Sequence, residues 1–540
     1  MTTRDPQVLV AGAGPTGLVL ALFLTHQGIR VRIIDPVAEP GTTSRALAVQ
    51  ARTLELYRQI GLADAVVERA NTFAAVNLWV AGKRIAHVAF GKLGEGMSPF
   101  PYMTIFPQDE HERLLTQRLA DLGVEVERGT ALAGFEDLGD RIRARLRRTG
   151  GATGGATGGA TGGATGGATG AGDEFCEVPY LAGCDGARSV VRETLGITFL
   201  GGTYDQMFYV ADTEASGPVT DGDLHVALDV SDFLAAFPMK GAGRVRLVGM
   251  VRPDVAMQHT PLQWSDISQR VVERLKITVE RVNWFSTYRV HHRVAGKFRQ
   301  GRAFLLGDAG HIHSPVGGQG MNTGIGDAVN LSWKLAAVLD GRANVRLLDT
   351  YEPERIAFAR RLVSTTDTVF SFVTSSTPIA RWVRLSVVPR ILPPLAALDW
   401  ARRFLFRTVS QIALQYRASR LSAGAAGGVH GGDRLPWVPP DTGAVNGATT
   451  GDNYTPLTSL DWQMHVYGDL PPGVGAICSA RGLALHVFPW RPAMQAAGID
   501  PGTCLLVRPD GYVAVAGDGA SPEKLERYLN EWELRSRVKG

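Results

Sequence analysis

Cysteine is scarce. Cys176, Cys184, Cys478 and Cys504 are the only four in 540 residues, and no two of them stand in a C-x-x-C or zinc-knuckle spacing. Neither a disulfide framework nor a cysteine-held metal is indicated. Long apolar runs are missing as well: no uninterrupted stretch reaches the ~18 residues of a membrane span. The chain enters its first apolar strand within eight residues, which leaves no room for a secretory leader. A cytoplasmic, reducing compartment is the expectation. Nor is there an excess of one charge. With 56 basic and 52 acidic residues the formal charge is +4, small for this length, and no basic block marks a nucleic-acid binder. What remains is an ordinary globular composition, 45% hydrophobic and 20% charged. A chain of this length is too long for one core, so two or three domains are expected.

The most informative stretch lies near the N-terminus. An apolar strand, Val8 to Ala11, runs into GAGPTG, and a long apolar segment follows. This is a G-x-G-x-x-G fingerprint in which each glycine has a physical task. Gly12 permits the tight turn, Gly14 lets a pyrophosphate approach the backbone, and Gly17 lets the helix pack closely. A second strand, VRIID, ends at Asp35, 18 positions after Gly17, where a ribose needs an acceptor. A glycine turn in an ordinary α/β domain is the plain alternative, but strand, helix and acidic strand end all agree on the nucleotide reading.

Further along, Arg45 stands in a loop on the carboxyl side of the second strand, where ligands of open α/β sheets bind. A helix is expected from Ala51 to Ile60, antiparallel strands between 73 and 106, and a helix capped by Gln108 or Asp109. Residues 149–170 are a GGAT repeat, expected to be a flexible, exposed extension of a hairpin. In AGCDGARSVVR a strand runs into Asp185 and Gly186, and Asp185 reads equally well as a helix cap. Recurrent strand patterns over 203–300 indicate a separate sheet suited to wall a pocket. LLGDAGHIHSPVGGQGMN then sets a second strand, glycine loop and helix start to hold a polar ligand. Residues 371–425 read as helical, ending in a Gly/Ala-rich linker, and 426–540 as a small α/β domain.

Taken in order, GAGPTG with Asp35, then AGCDGARSVVR, then LLGDAGHIHSPVGGQGMN resemble the group A flavoprotein monooxygenases, the family of p-hydroxybenzoate and phenol hydroxylases. The resemblance covers residues 7 to about 365. It implies a mixed α/β fold: a Rossmann-like FAD domain (1–200 and 301–370), an interleaved substrate-binding sheet domain (201–300) and a thioredoxin-like C-terminal domain (426–540). That last domain lacks the redox cysteine pair, so a structural or dimer-forming role is expected of it. One extended FAD is implied, with Gly12, Gly14, Thr16 and Gly17 at the pyrophosphate and Asp35 at the adenosine ribose. Arg45 and Gln108 match positions along the cofactor path. Asp185 and Gly186 form the DG motif that serves FAD and the passing NADPH, with Arg188 following. Asp308 would take the ribityl chain, Pro315 lies near the flavin C4a edge, and Gly320, Met321 and Asn322 offer amides to the flavin N1/O2 edge. GDAGH stands where GDAAH is common in the family.

The activity implied is hydroxylation of a phenolic or other aromatic substrate with NADPH (or NADH) and O2, through a flavin C4a-hydroperoxide. The substrate-side base does not carry over from the family. Candidates facing a sheet-walled pocket are His313, Tyr209, His225, Arg246 and Tyr288, His313 foremost because its segment runs into Pro315. Two alternatives stay open. The same scaffold could perform Baeyer–Villiger oxidation, epoxidation or quinone formation on a polycyclic polyketide, or it could bind flavin without catalysis. A homodimer is plausible through the appended domain.

Overall fold

The architecture is taken from a computed structural model, which describes residues 5–41, 46–89, 94–149, 173–228, 233–257, 261–375, 377–396, 398–441, 451–518 and 522–537. Arg45 and the GGAT repeat lie outside the described residues.

Strand Val8–Ala11 sits inside a six-stranded sheet, between Tyr180–Gly183 and Val31–Asp35. Ala303–Leu305 extends the sheet on one side and Val126–Arg128 on the other, all in parallel. Only the edge strand Arg299–Gln300 runs antiparallel. The three motifs singled out in the sequence therefore end at the carboxyl edge of three neighbouring strands. Parallel sheets need cover on both faces. Here the helices Pro15–His26 and Gly320–Leu339 supply part of it, and every residue from Gly17 to Leu24 is buried. The strands Ile142–Arg148 and Glu174–Val178 that flank the GGAT repeat pair antiparallel over five positions, so the repeat joins two zipped strands.

The second body is an eight-stranded sheet, antiparallel except for one pair. Its strands are not confined to 201–300. Ala75–Val80 and Lys83–Ala89 form one edge, with Ala75–Val80 parallel to Leu224–Leu228. Two stretches of chain more than a hundred residues apart thus share one sheet, which local patterning does not reveal. One face is a sealed core of Ala211, Leu234, Ala236, Val245 and Leu247 beneath Val271, Val272 and Leu275. On the other face Phe233, Phe237, Val248, Met250, Trp284 and Tyr288 are only half-buried. Part of that face looks toward the body built on the six-stranded sheet, since Phe237 and Leu224 pack against its core.

Helices Tyr351–Thr374, Pro378–Trp382, Val388–Ala396 and Asp399–Val409 follow. The Gly/Ala-rich stretch after them is not a free linker. It folds into a tight hairpin, Ala425–Ala426 with Val429–His430, whose Ala426 and Val429 are 1% exposed. Gly431 has no room for a side chain there, because a Cβ would lie 2.4 Å from the Ala423 nitrogen. Beyond it a four-stranded mixed sheet, ordered Ala484–Phe488, Gln463–Tyr467, Thr503–Val507, Val513–Asp518, is flanked by helices Val474–Arg481 and Pro522–Glu531. It docks onto the distal half of the Gly320–Leu339 helix through Trp333 and Ala337. Buried charges reinforce the contact: Arg434 with Glu55, and Arg508 with Glu354.

His111 marks an acid-sensitive point of this core. It is fully buried on the Gln108–Asp121 helix, with its Nε2 2.8 Å from the Tyr57 hydroxyl. Burial lowers its pKa to about 3. The unfolded chain takes up a proton near pH 6.5 that the folded one refuses. The stability this histidine contributes is therefore complete above about pH 6.5 and is lost as the pH falls toward 3. Between pH 7 and pH 5 the loss amounts to about 2 kcal/mol. Denaturant unfolding of wild type and His111→Gln at the two pH values should show the variant's stability varying less by that amount.

Candidate active site

Gly12, at φ +103°, turns the chain so tightly that a Cβ would lie 2.3 Å from the Cys184 carbonyl oxygen. Gly17 is pressed against the same turn, its Cβ position 1.9 Å from the Gly12 oxygen. Gly14 has the opposite surroundings: a Cβ there would meet nothing within 4 Å. It is the N-cap of the Pro15–His26 helix, whose first turn has no side-chain cap and no acidic residue. The helix thus points unspent N–H groups and its positive end into open space, the arrangement a pyrophosphate requires.

The second helix start repeats the pattern. Gly320–Leu339 begins without a side-chain cap or an acidic residue in its first turn. The loop before it is folded onto strand Ala48–Val49. Gly317 and Gly318 have φ of +74° and +62°, and a Cβ on Gly318 would lie 2.6 Å from the Ala48 Cβ. Asn322 locks this contact. Its Nδ2 donates to Ala48 and Gly318 oxygens, both at 2.8 Å, while its Oδ1 accepts from the Gln50 amide and the Thr53 hydroxyl. The side chain is fully engaged inside the protein, so only its backbone amide is left to offer a ligand.

The two helix starts meet. Thr16 is wedged between them: a Cβ on Gly324 would lie 2.3 Å from Thr16 Oγ1 and 3.1 Å from Gly307 Cα. Segments some three hundred residues apart in the chain thereby border one elongated site. Gly307, at φ +57°, opens the short turn that carries exposed Asp308. From below, buried Asp327 accepts from the Gly307 amide at 2.9 Å and pairs with Arg355 at 2.6 Å and His311 at 2.7 Å. The Gly310 departure from the family pattern is benign, because a Cβ there would reach only ordinary contact with Phe298 at 3.4 Å.

At the other end Asp35 holds its own loop. Its oxygens accept from the Ala13 amide at 2.7 Å and the Val37 amide at 2.9 Å. Arg128, in register with Asp35 on the neighbouring strand, stands 3.7 Å from it. Asp185 accepts from the Val191 amide at 3.1 Å through Oδ2, which is the cap role foreseen, with Ser189 capping the same short helix. Its other oxygen is buried with no hydrogen-bond partner, and burial pushes its carboxyl above the usual range. Gly186, at φ +74°, has open space beside it and Arg188 is exposed. Gln108 ties its helix to the Ala46 segment and to Glu112.

These features fit FAD. They provide an open glycine turn, two uncapped helix starts on one site, an orphaned buried acceptor at Asp185 and the buried, unpartnered Nη2 of Arg128. Sequence reasoning missed Arg128, whose signal was its position at a strand's carboxyl end. It also missed Gln319 and Gln411. Gln411, at φ +62°, donates to Gln319 Oε1 at 2.6 Å and Thr323 Oγ1 at 3.2 Å, bracing the glycine loop from the 399–409 helix side. A left-handed glutamine carries no sequence signature.

The substrate-side candidates separate by strand alternation. Tyr288 and Arg246 are on the half-buried face, but Arg246 is already spent in a two-pronged ion pair with Asp212. Tyr209 and His225 point the other way. The Tyr209 ring covers Gly249 and packs on Trp264 and Phe285, and His225 accepts from Trp79 Nε1 at 2.9 Å and pairs with Asp221. Both belong to the sealed reverse face, so the expectation that they face the pocket is corrected. His313 lies over the second helix start, its Nε2 3.6 Å from where a Gly320 Cβ would be. Its Nδ1 is 2.8 Å from the Ser314 carbonyl, which can only accept, so that nitrogen carries the proton. Nε2 is buried without a partner, and burial lowers the pKa to about 4. The ring is therefore a neutral acceptor at neutral pH. Pro315, exposed, caps the loop that follows.

Comparison with known proteins identifies the family. An FAD binding domain family model matches residues 5–366. The chain belongs to the FAD-dependent aromatic hydroxylases of the group A type, and is a flavin monooxygenase acting on aromatic substrates. It is 34% identical to 6-methylpretetramide 4-monooxygenase of Streptomyces rimosus, covering 98% of this chain and 94% of that one. It is 30% identical to a 12-dehydrotetracycline 5-monooxygenase/anhydrotetracycline 6-monooxygenase of Streptomyces rimosus subsp. rimosus, covering 97% and 98%. The solved structure of OxyS anhydrotetracycline hydroxylase from Streptomyces rimosus matches with a TM-score of 0.75 at 27% identity, over 99% and 100% of the chains.

Proposed function

We propose that the enzyme hydroxylates a fused-ring phenolic of the polyketide type, with NADPH as the reductant. The observation that supports this most is the wide half-buried face of Phe233, Phe237, Val248, Met250 and Tyr288, on which Phe237 meets the core of the nucleotide-binding body and Phe233, Met250 and Tyr288 meet Phe370. A flat ligand of several rings matches such a wall, and the relatives named above act on molecules of that kind. When bound, FAD supplies hydride acceptance and oxygen activation. Gly12, Gly14, Thr16 and Gly17 hold its pyrophosphate, and Asp35 with Arg128 its adenosine ribose. Asp308 takes the ribityl chain. The amides of Gly320, Met321 and Asn322 would offer hydrogen bonds to the edge of the bound ring that carries negative charge. Asp185, Gly186 and Arg188 border the path of the nicotinamide co-substrate. The two sheets exclude water, and His313 Nε2 accepts the hydrogen bond of the substrate hydroxyl, drawing it toward phenolate.

Anaerobic and aerobic assays of the FAD-loaded protein test the reading. NADPH oxidation and O2 uptake should rise together on adding a tetracyclic phenol, and one atom of 18O2 should appear as a ring hydroxyl by NMR. NADPH oxidation indifferent to such compounds, or a ring-expanded lactone, overturns it. His313→Ala should keep its flavin while kcat falls about a hundredfold, the usual scale for a lost proton acceptor. An unchanged kcat removes His313 from the mechanism.

A further inference from the structure

We propose that residues 377–396 and 398–409 form an interfacial anchor that seats the enzyme on a bilayer surface bearing anionic headgroups. The fold leaves an apolar surface here that no other described residue covers. Seventeen large hydrophobic side chains are exposed among the described residues, and eight of them lie between Ile379 and Leu405. The other nine are scattered over the rest of the protein. Ile379 is 76% exposed, Trp382 61%, Trp400 64% and Phe404 68%. Single exposed hydrophobics are ordinary, whereas a cluster on one surface marks an interaction site.

The Asp399–Val409 helix shows how the surface is built. Phe406 turns inward and is 1% exposed, filling the space above Gly94. Val409, at the end of the helix, packs against the same core. Trp400 and Phe404, one turn apart, stand on a different side and face solvent. Arg403 and Arg407 form the adjoining row, also exposed. An apolar row flanked by arginines is the pattern of a helix lying in a membrane interface, with rings among the acyl chains and guanidinium groups among the phosphates. The Val388–Ala396 helix continues the surface with exposed Ile391 and Arg390 and rests against the edge strand Lys83–Ala89 of the large sheet. The anchor is thereby fixed beside the sheet that walls the substrate cleft.

Charge selects the occupant. Residues 377–409 hold six of the 56 basic residues, all arginine, and only one of the 52 acidic ones, Asp399. The remainder of the chain is therefore close to neutral, and the positive balance of the sequence falls within this stretch. A second copy of the chain is the poorer partner, because a two-fold interface would set Arg403 and Arg407 against their own like charges. Anionic lipid answers both the rings and the guanidinium groups.

Flotation of the FAD-loaded full chain with phosphatidylcholine vesicles, with and without phosphatidylglycerol, tests the proposal. The protein should float with the phosphatidylglycerol vesicles, be released by high salt, and show a blue shift of tryptophan emission on binding. Trp400→Asp with Phe404→Asp should lower the bound fraction at least about tenfold, as should Arg403→Glu with Arg407→Glu. Both variants should retain wild-type FAD content and soluble turnover, which separates loss of anchoring from loss of fold or of the proposed activity. Wild-type protein that stays unbound overturns the proposal. So does equal binding to neutral vesicles, or a sedimenting homodimer that the first variant dissociates.

Discussion

Replacing Gly17 by alanine should yield a folded protein that purifies without colour. The added methyl has nowhere to go. It would lie 1.9 Å from the Gly12 carbonyl oxygen and 3.2 Å from the Cys184 Cβ. The first obstacle is backbone in a turn at φ +103°, which no rotamer change relieves. The Pro15–His26 helix must back away from the strand, at a cost of about 1–3 kcal/mol for overpacking. Its favourable field on an anion fades within a turn of the helix end, so displacement removes the pyrophosphate contact itself. A fall in FAD affinity of at least about a hundredfold is expected, or roughly 2.7 kcal/mol. Flavin absorbance per chain and FAD titration of the apoprotein measure it. Gly14→Ala is the companion, because a Cβ at that position touches nothing in the protein. Its apoprotein should melt with wild type and yet lose FAD, since the methyl occupies only the space of the ligand. A yellow Gly17→Ala protein with unchanged affinity would mean that the turn is not the pyrophosphate site.

The second large effect lies at the docked C-terminal sheet. Glu354 is 4% exposed and receives Arg508 through two bonds of 2.9 and 3.0 Å, Lys334 and Asn330 at 2.8 and 2.7 Å, and the Ser419 hydroxyl at 2.6 Å. Burial alone would raise its pKa, but the adjacent Arg508 and Lys334 outweigh that and hold the carboxyl well below its usual range. Lys334, by burial, is lowered to about 8 despite the same pairing. Glu354→Gln keeps the volume and removes the charge that both cations answer. Breaking one partner out of a buried ion cluster costs about 3–5 kcal/mol. For a chain of this size Tm should drop by roughly 3–4 °C. Calorimetry gives the shift, and limited proteolysis shows whether residues beyond 410 become the first cut. A variant melting with wild type would show that the apolar contact of Trp333 alone carries the docking.

The nucleotide-binding half could be read in the sequence because its signals are local. Gly12, Gly14, Gly17 and Asp35 act within one strand–turn–helix–strand unit, and the second glycine loop within another. Their meeting at Thr16 was inferable only as a condition of sharing one ligand. The pocket wall was less legible, since the side a strand residue faces depends on which strands flank it. Tyr209 and Tyr288 look alike in sequence, and only their register in the large sheet puts one on the sealed face and one on the open face. Strands 75–89 joined that sheet through a parallel pairing that no turn announces. The stretch around Val429 failed for another reason. Its glycines resemble a linker, whereas here they are needed because backbone passes against backbone.

The Gly320–Leu339 helix begins at the glycine loop and ends with its own Trp333 and Ala337 packed into the core of the C-terminal sheet. One rigid rod of about 30 Å therefore reports at one tip on what happens at the other. Cofactor occupancy and protease resistance of the last hundred or so residues should be thermodynamically linked, rising by RT ln(1 + [FAD]/Kd) when the two bodies melt as one. The C-terminal sheet would in this way act as a gauge of whether the enzyme is charged.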